Sequence, residues 1–258
     1  MPEQNAETPI KKISDAAQQA ARVESAPVHV RHHRAWLFRV ALISIAGGYA
    51  LLTFLVKATP SFALDLKITK AVQLVNFPSF ALFMSLISWP GYVPQAIIIA
   101  GLTIILIYVF GLHWEAVMAL IGAVFTTAIN VLLKDLIQRP RPTSPLVNVV
   151  AKLTSYSFPS GHVTFYCGFF GFIGFLAFSL LKPSLKRSLL LVLFGGLVVL
   201  VGVSRIYLGA HWASDTLGSY LLGSLILVAI IQVYLWGKTR FFVHQPVAAA
   251  QPIAKNAV

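Results

Sequence analysis

Acidic residues and cysteines are scarce in this chain. Of 258 residues only eight are Asp or Glu. Four of them, Glu3, Glu7, Asp15 and Glu24, lie in a polar N-terminal stretch, leaving Asp65, Glu115, Asp135 and Asp215 for the rest. A two-metal hydrolase needs several carboxylate or His ligands converging on one site. This chain has few to offer, so any phosphoryl chemistry on it is expected to need no metal and no cofactor. The single cysteine, Cys167, excludes a disulfide framework, a CxxC pair and zinc spacing. It lies in an apolar run and reads as a small core or lipid-facing residue. Charge is also thin: 11% of residues, against roughly 25% in soluble domains. With 57% hydrophobic residues and a mean hydropathy of +0.79, an integral membrane protein is expected. The length suits one compact bundle of spans rather than several domains.

The charge that is present is mostly positive, with a formal net charge of +12. The bases do not form one patch. They gather at the ends of apolar runs, where topology signals and anionic-lipid contacts belong, so nucleic acid is not an expected partner.

Residues 1–35 read as a polar cytoplasmic tail, with a short helix near Ile13–Val23. A basic cluster, Arg31 to Arg39, precedes the first apolar run, Val40–Val56, which is too long for a cleaved signal peptide. Ser61–Val75 is amphipathic at best and is expected on the surface. Residues 79–89 are short enough to be buried or re-entrant. Further spans are expected at Val93–Phe110, Ala116–Leu133, Val163–Leu181, Ser188–Val203 and Thr216–Trp236. The pattern therefore predicts an all-α protein, with about six transmembrane helices in one bundle over 36–237 and a C-terminal tail over 238–258. With six spans, the N-terminal cluster, the Lys182–Arg187 turn and Lys238/Arg240 share one face. The positive-inside rule makes that face cytoplasmic, together with both termini. The loop after Lys134 and the segment from Ser204 then lie on the outer, periplasmic side of a cell (inner) membrane.

Three polar stretches stand out against this background. Ser204–Asp215 reads S-R-I-Y-L-G-A-H-W-A-S-D between apolar runs, and ionisable groups beside lipid are expensive. If a helix begins there, His211 and Asp215 stack one turn apart. The carboxylate can then accept the Nδ1 hydrogen and leave Nε2 as a lone-pair nucleophile. Arg205 suits a phosphate or carboxylate. The second stretch, K-D-L-I-Q-R-P-R-P, places Lys134 and Arg141 seven apart, two helical turns if the span continues. Arg139 is a further cation there, and Asp135 balances local charge. The third, S-F-P-S-G-H, makes Ser160 an N-cap and Gly161 a point of close approach, with His162 beside the anion that a helix start attracts. Each stretch also has a bland reading, as interface anchors or a capped helix. Together they place cations, a helix N-terminus, two histidines and a carboxylate on one membrane face.

These residues resemble the type 2 phosphatidic acid phosphatase superfamily, whose signature is K-x6-R-P, P-S-G-H and S-R-x5-H-x3-D. Lys134–Arg141–Pro142, Pro159–Ser160–Gly161–His162 and Ser204–Arg205–His211–Asp215 match it with every spacing kept. The resemblance implies a phosphatase working through a phosphohistidine. His211 would attack phosphorus, Asp215 would orient it, and His162 would protonate the leaving oxygen. Lys134, Arg141, Arg205, Ser160 and Gly161 would hold the phosphoryl oxygens. The implied partners are the bilayer and a lipid phosphate such as undecaprenyl diphosphate, phosphatidylglycerophosphate or phosphatidic acid. A phosphotransferase with the same triad is an alternative. An anion transporter is a remote one, since no internal repeat is visible, and the apolar spans argue against a soluble haloperoxidase. Oligomeric state is not legible.

Overall fold

The computed structural model of the protein describes residues 28–59, 61–150 and 153–242. The short helix expected near Ile13–Val23 and the end of the chain lie outside the described residues. Chain contacts divide the protein into a small unit, Met1–Ile45, and a large one, Ala46–Val258. Every regular element among the described residues is helical. Helix α1 is Val28–Ala58 and α2 is Ala63–Gln73. Helix α3, Pro78–Ser88, and α4, Val93–Val109, flank a single 3-10 turn at Trp89–Gly91. Then come α5, His113–Ile137, α6, Gly161–Leu180, α7, Leu185–Tyr207, and α8, Ala213–Gly237.

Five of these are long and apolar enough to cross a membrane: α1 from His32, α5, α6, α7 and α8 extended to Phe241. The pair α3–α4 adds a sixth if its 63° bend is counted within one span. Proline falls in the first turn of both α3 and α4, where a missing N–H costs nothing and the fixed φ already suits a helix.

Two helices run further than the apolar pattern predicts. Helix α5 continues past Leu133 to Ile137, and α7 past Val203 to Tyr207. Each carries a buried cation in its last turn, Lys134 and Arg205. The partial negative charge of a helix C-terminus favours a cation there, so the charge extends the helix rather than ending it. Helix α5 stops at Gln138, in the left-handed region at φ 55°, and Pro140 bars any continuation.

Helix α6 is the axis of the large unit. Two thirds of its spanning window is buried (67%), against 28–39% for α5, α7 and α8, which pack around it. Val163, Tyr166, Phe169 and Phe172 on it are buried. Tyr166 meets Phe170 edge-on, Phe170 stacks on Phe194, and Phe172 stacks on Phe175 and meets Tyr234 edge-on. Lipid tails are as apolar as these side chains, so close packing rather than water exclusion holds such a bundle together.

The surface helix expected over Ser61–Val75 is α2, but polar side chains lie on its buried face as well as its exposed one. Asp65 and Thr69 are buried, whereas Lys67, Lys70 and Leu64 are exposed, and the helix packs against α7 and α8.

Candidate active site

The C-terminal ends of α5 and α7 and the N-terminal ends of α6 and α8 lie at one end of the bundle. Lys134 comes from the last turn of α5, His162 from the first turn of α6, Arg205 from the last turn of α7 and Asp215 from the first turn of α8. Arg139, Arg141, Ser157 and Ser160 come from the 138–160 loop, and His211 from the link between α7 and α8. Lys134, Arg141 and Arg205 all act electrostatically on both His162 and His211, so the three sequence stretches meet in one place.

Arg141 does not reach the site along a helix, because α5 has already ended. The loop delivers it instead. Its guanidinium donates to the carbonyls of Ser155, Tyr156 and Ala210, and its Nη1 lies 3.2 Å from His211 Nε2. Guanidinium has no lone pair to offer, so this contact requires Nε2 to be the acceptor. The imidazole hydrogen is therefore on Nδ1. Burial holds the His211 pKa well below its ordinary value, and the cations Arg141, Lys134 and Arg205 add to the effect. His211 is then neutral at physiological pH, with its lone pair on the atom facing Arg141. Arg141 itself is pushed down to about 10, by burial first and Arg205 second, and stays charged.

Asp215 supports this imidazole less directly than the i, i+4 spacing suggests. Helix α8 starts at Ala213, two residues after His211. Asp215 Oδ2 accepts the Trp212 N–H at 2.8 Å and the Ser157 hydroxyl, and lies 3.6 Å from His211 Nδ1, too far for a good hydrogen bond. Ser157 Oγ is 3.4 Å from Nδ1. Having given its hydrogen to Asp215, it turns a lone pair to the imidazole N–H. Carboxylate, serine and imidazole thus form a chain.

On the other side of the site, Ser88 and Tyr92 steer Arg205. Ser204 donates to the Met84 carbonyl, so Ser88 donates to Ser204 (2.7 Å) and accepts Arg205 Nη1 at 3.1 Å. Tyr92 OH lies 3.5 Å from the same nitrogen, and its ring meets His162 edge-on at 4.9 Å. Gly91 is needed here, because a Cβ at that position would fall on the His162 ring. The remaining Arg205 donors, Nε and Nη2, are buried with no hydrogen-bond partner among the described residues, as are Ser160 Oγ and His162 Nε2. Such groups cost about 1–3 kcal/mol each, and more when charged, unless something fills their need.

Ser160 is the N-cap of α6 by position, but its hydroxyl makes no capping bond. Its N–H goes to Ser219 Oγ at 2.6 Å. Gly161 packs against Asn130, whose amide bonds Thr164 Oγ1 at 3.2 Å and thereby braces the turn. Gly209, at φ +65°, lies so close to the Asn148 carbonyl that a side chain would collide with it.

Asp135 is exposed, and its charge is felt at Lys134. Arg139 is buried and bridges Asp65 (2.8 Å) and Asp215. Sequence reading also passed over Ser88, Tyr92 and Asn130. Ser157 stood inside a quoted motif, but nothing local pointed to its partner. Among the described residues, no three His, Cys, Asp or Glu side chains are grouped so as to hold a metal ion.

The family model for the PAP2 superfamily matches residues 112–238. Over 171 residues the chain is 31% identical to phosphatidylglycerophosphatase B of Bacillus subtilis, covering 64% of this chain and 81% of that one. It is 34% identical over 90 residues to an undecaprenyl-diphosphatase of Sulfolobus acidocaldarius, covering 35% and 39% of the two chains. The crystal structure of a transmembrane PAP2 type phosphatidylglycerolphosphate phosphatase from Bacillus subtilis superposes with a TM-score of 0.67. That match is at 25% identity and covers 78% of this chain and 98% of the other.

Proposed function

The chain belongs to the PAP2 superfamily, and we propose that it is a membrane enzyme that removes phosphate from a lipid phosphate or diphosphate through a phosphohistidine on His211. The substrate class is that of phosphatidylglycerophosphate, undecaprenyl diphosphate or phosphatidic acid, and the relatives named for the first two support it. Residues 36–237 form the phosphatase domain, and the site faces the outer side of the membrane, opposite the Lys182–Arg187 turn.

In the first step the Nε2 lone pair forms a bond to phosphorus, and the bond from phosphorus to the leaving oxygen breaks. His162 gives that oxygen a proton. In the second step water attacks the phosphohistidine, His162 takes a proton from it, and the N–P bond breaks to free inorganic phosphate. Lys134, Arg141 and Arg205, with Ser160 and the Gly161 N–H, hold the phosphoryl oxygens. The chemistry is therefore positioning plus charge neutralisation. Asp215, acting through Ser157, offsets the positive charge that the attacking imidazole acquires.

One observation carries this reading. The unpartnered donors Arg205 Nε and Nη2 and Ser160 Oγ stand with His162 Nε2 around a neutral imidazole whose lone pair is already fixed. An oxyanion with a leaving group to protonate satisfies all of them. The test is phosphate release from a panel of purified lipid phosphates, comparing the wild type with His211→Ala, with and without EDTA. Turnover that survives EDTA and disappears with His211 is expected. A strict need for Mg²⁺, or normal turnover without His211, would overturn it. A phosphotransferase would instead pass the phosphoryl group to an added acceptor lipid, giving a new lipid phosphate in place of inorganic phosphate.

A further inference from the structure

Asp65 lies in α2, outside the residues that the family match covers. It is buried, and its partners are unusual for a residue on a short peripheral helix. Oδ1 accepts the Ser214 N–H at 2.8 Å, and Oδ2 accepts the Ser214 hydroxyl at 2.6 Å and Arg139 Nη2 at 2.8 Å. The other guanidinium nitrogen of Arg139 bonds Asp215 Oδ1 and, at 2.8 Å, Ser214 Oγ. Asp65, Arg139 and Asp215 are 3%, 2% and 0% exposed. A buried cluster of this kind is a poor way to gain stability, since desolvating three charges offsets most of their attraction. Its position suggests another use.

Resting on the phosphohistidine reading above, we propose that Asp65 is a positioning residue for the nucleophile. It holds one side of Arg139, so that Asp215 is only partly neutralised and keeps negative charge for His211. One guanidinium between two carboxylates leaves the trio with a net charge of −1. Without Asp65, Arg139 and Asp215 would close on each other as a neutral pair. The groups facing His211 are Lys134 from α5, Arg141 from the loop, His162 from α6, Arg205 from α7 and Asp215 from α8. Against three cations Asp215 is the one carboxylate in that set, so how far Arg139 neutralises it decides how well the imidazole can accept positive charge as it attacks. Asp65 also takes the Ser214 N–H, one of the free donors at the start of α8. It thereby pins the turn that carries both His211 and Asp215. Gln73, at the other end of α2, bonds both the N–H and the carbonyl of Asn148 and the Tyr207 carbonyl, so α2 is fastened at both ends across the site.

The test is the pH profile of kcat/KM and the separate kcat and KM of the full chain in detergent micelles, with dioctanoyl phosphatidic acid as the probe. Asp65→Asn is expected to lower kcat about 10- to 100-fold with KM within about threefold, the pattern of a lost transition-state interaction. It is also expected to move the acid limb to lower pH, because less negative charge near an imidazole disfavours its protonation. Asp65→Glu restores much of both. Arg139→Gln moves the limb the opposite way, to higher pH, and carries the test if Asp65→Asn does not fold. A limb unmoved in whichever of these variants folds overturns the proposal, as does a kcat in Asp65→Asn equal to wild type. So does a fall in kcat that only follows a lowered Tm and that Asp65→Glu does not repair. His211→Ala in the same assay separates the two readings. If it retains turnover, the phosphohistidine reading fails and Asp65's role with it. If it is dead while Asp65→Asn behaves as wild type, only the role of Asp65 fails.

Discussion

Buried carboxylates meet cations at both ends of this bundle, in very different ways. At the end away from the site, Glu115 on α5 pairs with Lys238 at 2.6 Å and accepts the Tyr234 hydroxyl at 3.0 Å. One carboxylate faces one ammonium. At the site end, four cations, Lys134, Arg139, Arg141 and Arg205, stand beside two buried carboxylates, Asp65 and Asp215, both of which Arg139 bonds. Four positive charges against two negative ones leave an excess of two. Among the described residues, the Arg205 donors Nε and Nη2, and Ser160 Oγ beside them, find no partner. A charge cluster that closes on itself ties helices together. One that is left short of negative charge is a receptor for an anion.

The sharpest way to break this contrast is His211→Ala, which should cut phosphate release by roughly 10⁴-fold or more, as loss of a nucleophile does elsewhere. Elution as a single detergent-solubilised species would show that the fold survives. Next is Arg205→Ala, which removes the unpartnered donors; a fall in kcat of about 10²–10³-fold is expected by analogy with oxyanion donors. An unchanged kcat would mean that the excess charge has no catalytic use. Glu115→Gln should have the opposite profile: a loss of about 2 kcal/mol of stability from a weakened charged hydrogen bond, with kcat per folded molecule within about twofold. Smallest is a shift in pH dependence. With the His211 pKa depressed, the acid limb should lie well below pH 6.5, and Arg141→Gln, removing an adjacent cation, should raise it by a fraction of a unit on a much reduced rate. Stability follows the same sign. A histidine held neutral in the fold but free to protonate when unfolded weakens the protein as pH falls below about 6.5. Thermal melts between pH 5 and 7 would check it.

The six apolar segments and the three polar stretches were legible because span length and local motif are properties of contiguous sequence. Lys134, Arg141, His162, Arg205, His211 and Asp215 stand in those stretches, and the fold brings them together. What spacing could not give was partnership across the chain. Asp65 looked like the lone acid of a surface helix, yet its partner Arg139 is 74 residues away. Ser157 and Asp215 are 58 apart, and Ser88 and Arg205 are 117 apart. Helix ends were misjudged for a simpler reason. An apolar run ends at its first charge, whereas Lys134 and Arg205 sit inside last turns whose carbonyls welcome a cation.

The backbone oxygens around Lys134 and Arg141 have one more consequence. Lys134 donates to the carbonyls of Tyr156 and Ser157, and Arg141 to those of Ser155, Tyr156 and Ala210. These oxygens act as understudies for the anion. Lys134 and Arg141 thus stay solvated by main chain when the site is empty, whereas the buried Nε and Nη2 of Arg205 do not. An anion entering the site is therefore expected to gain most at Arg205.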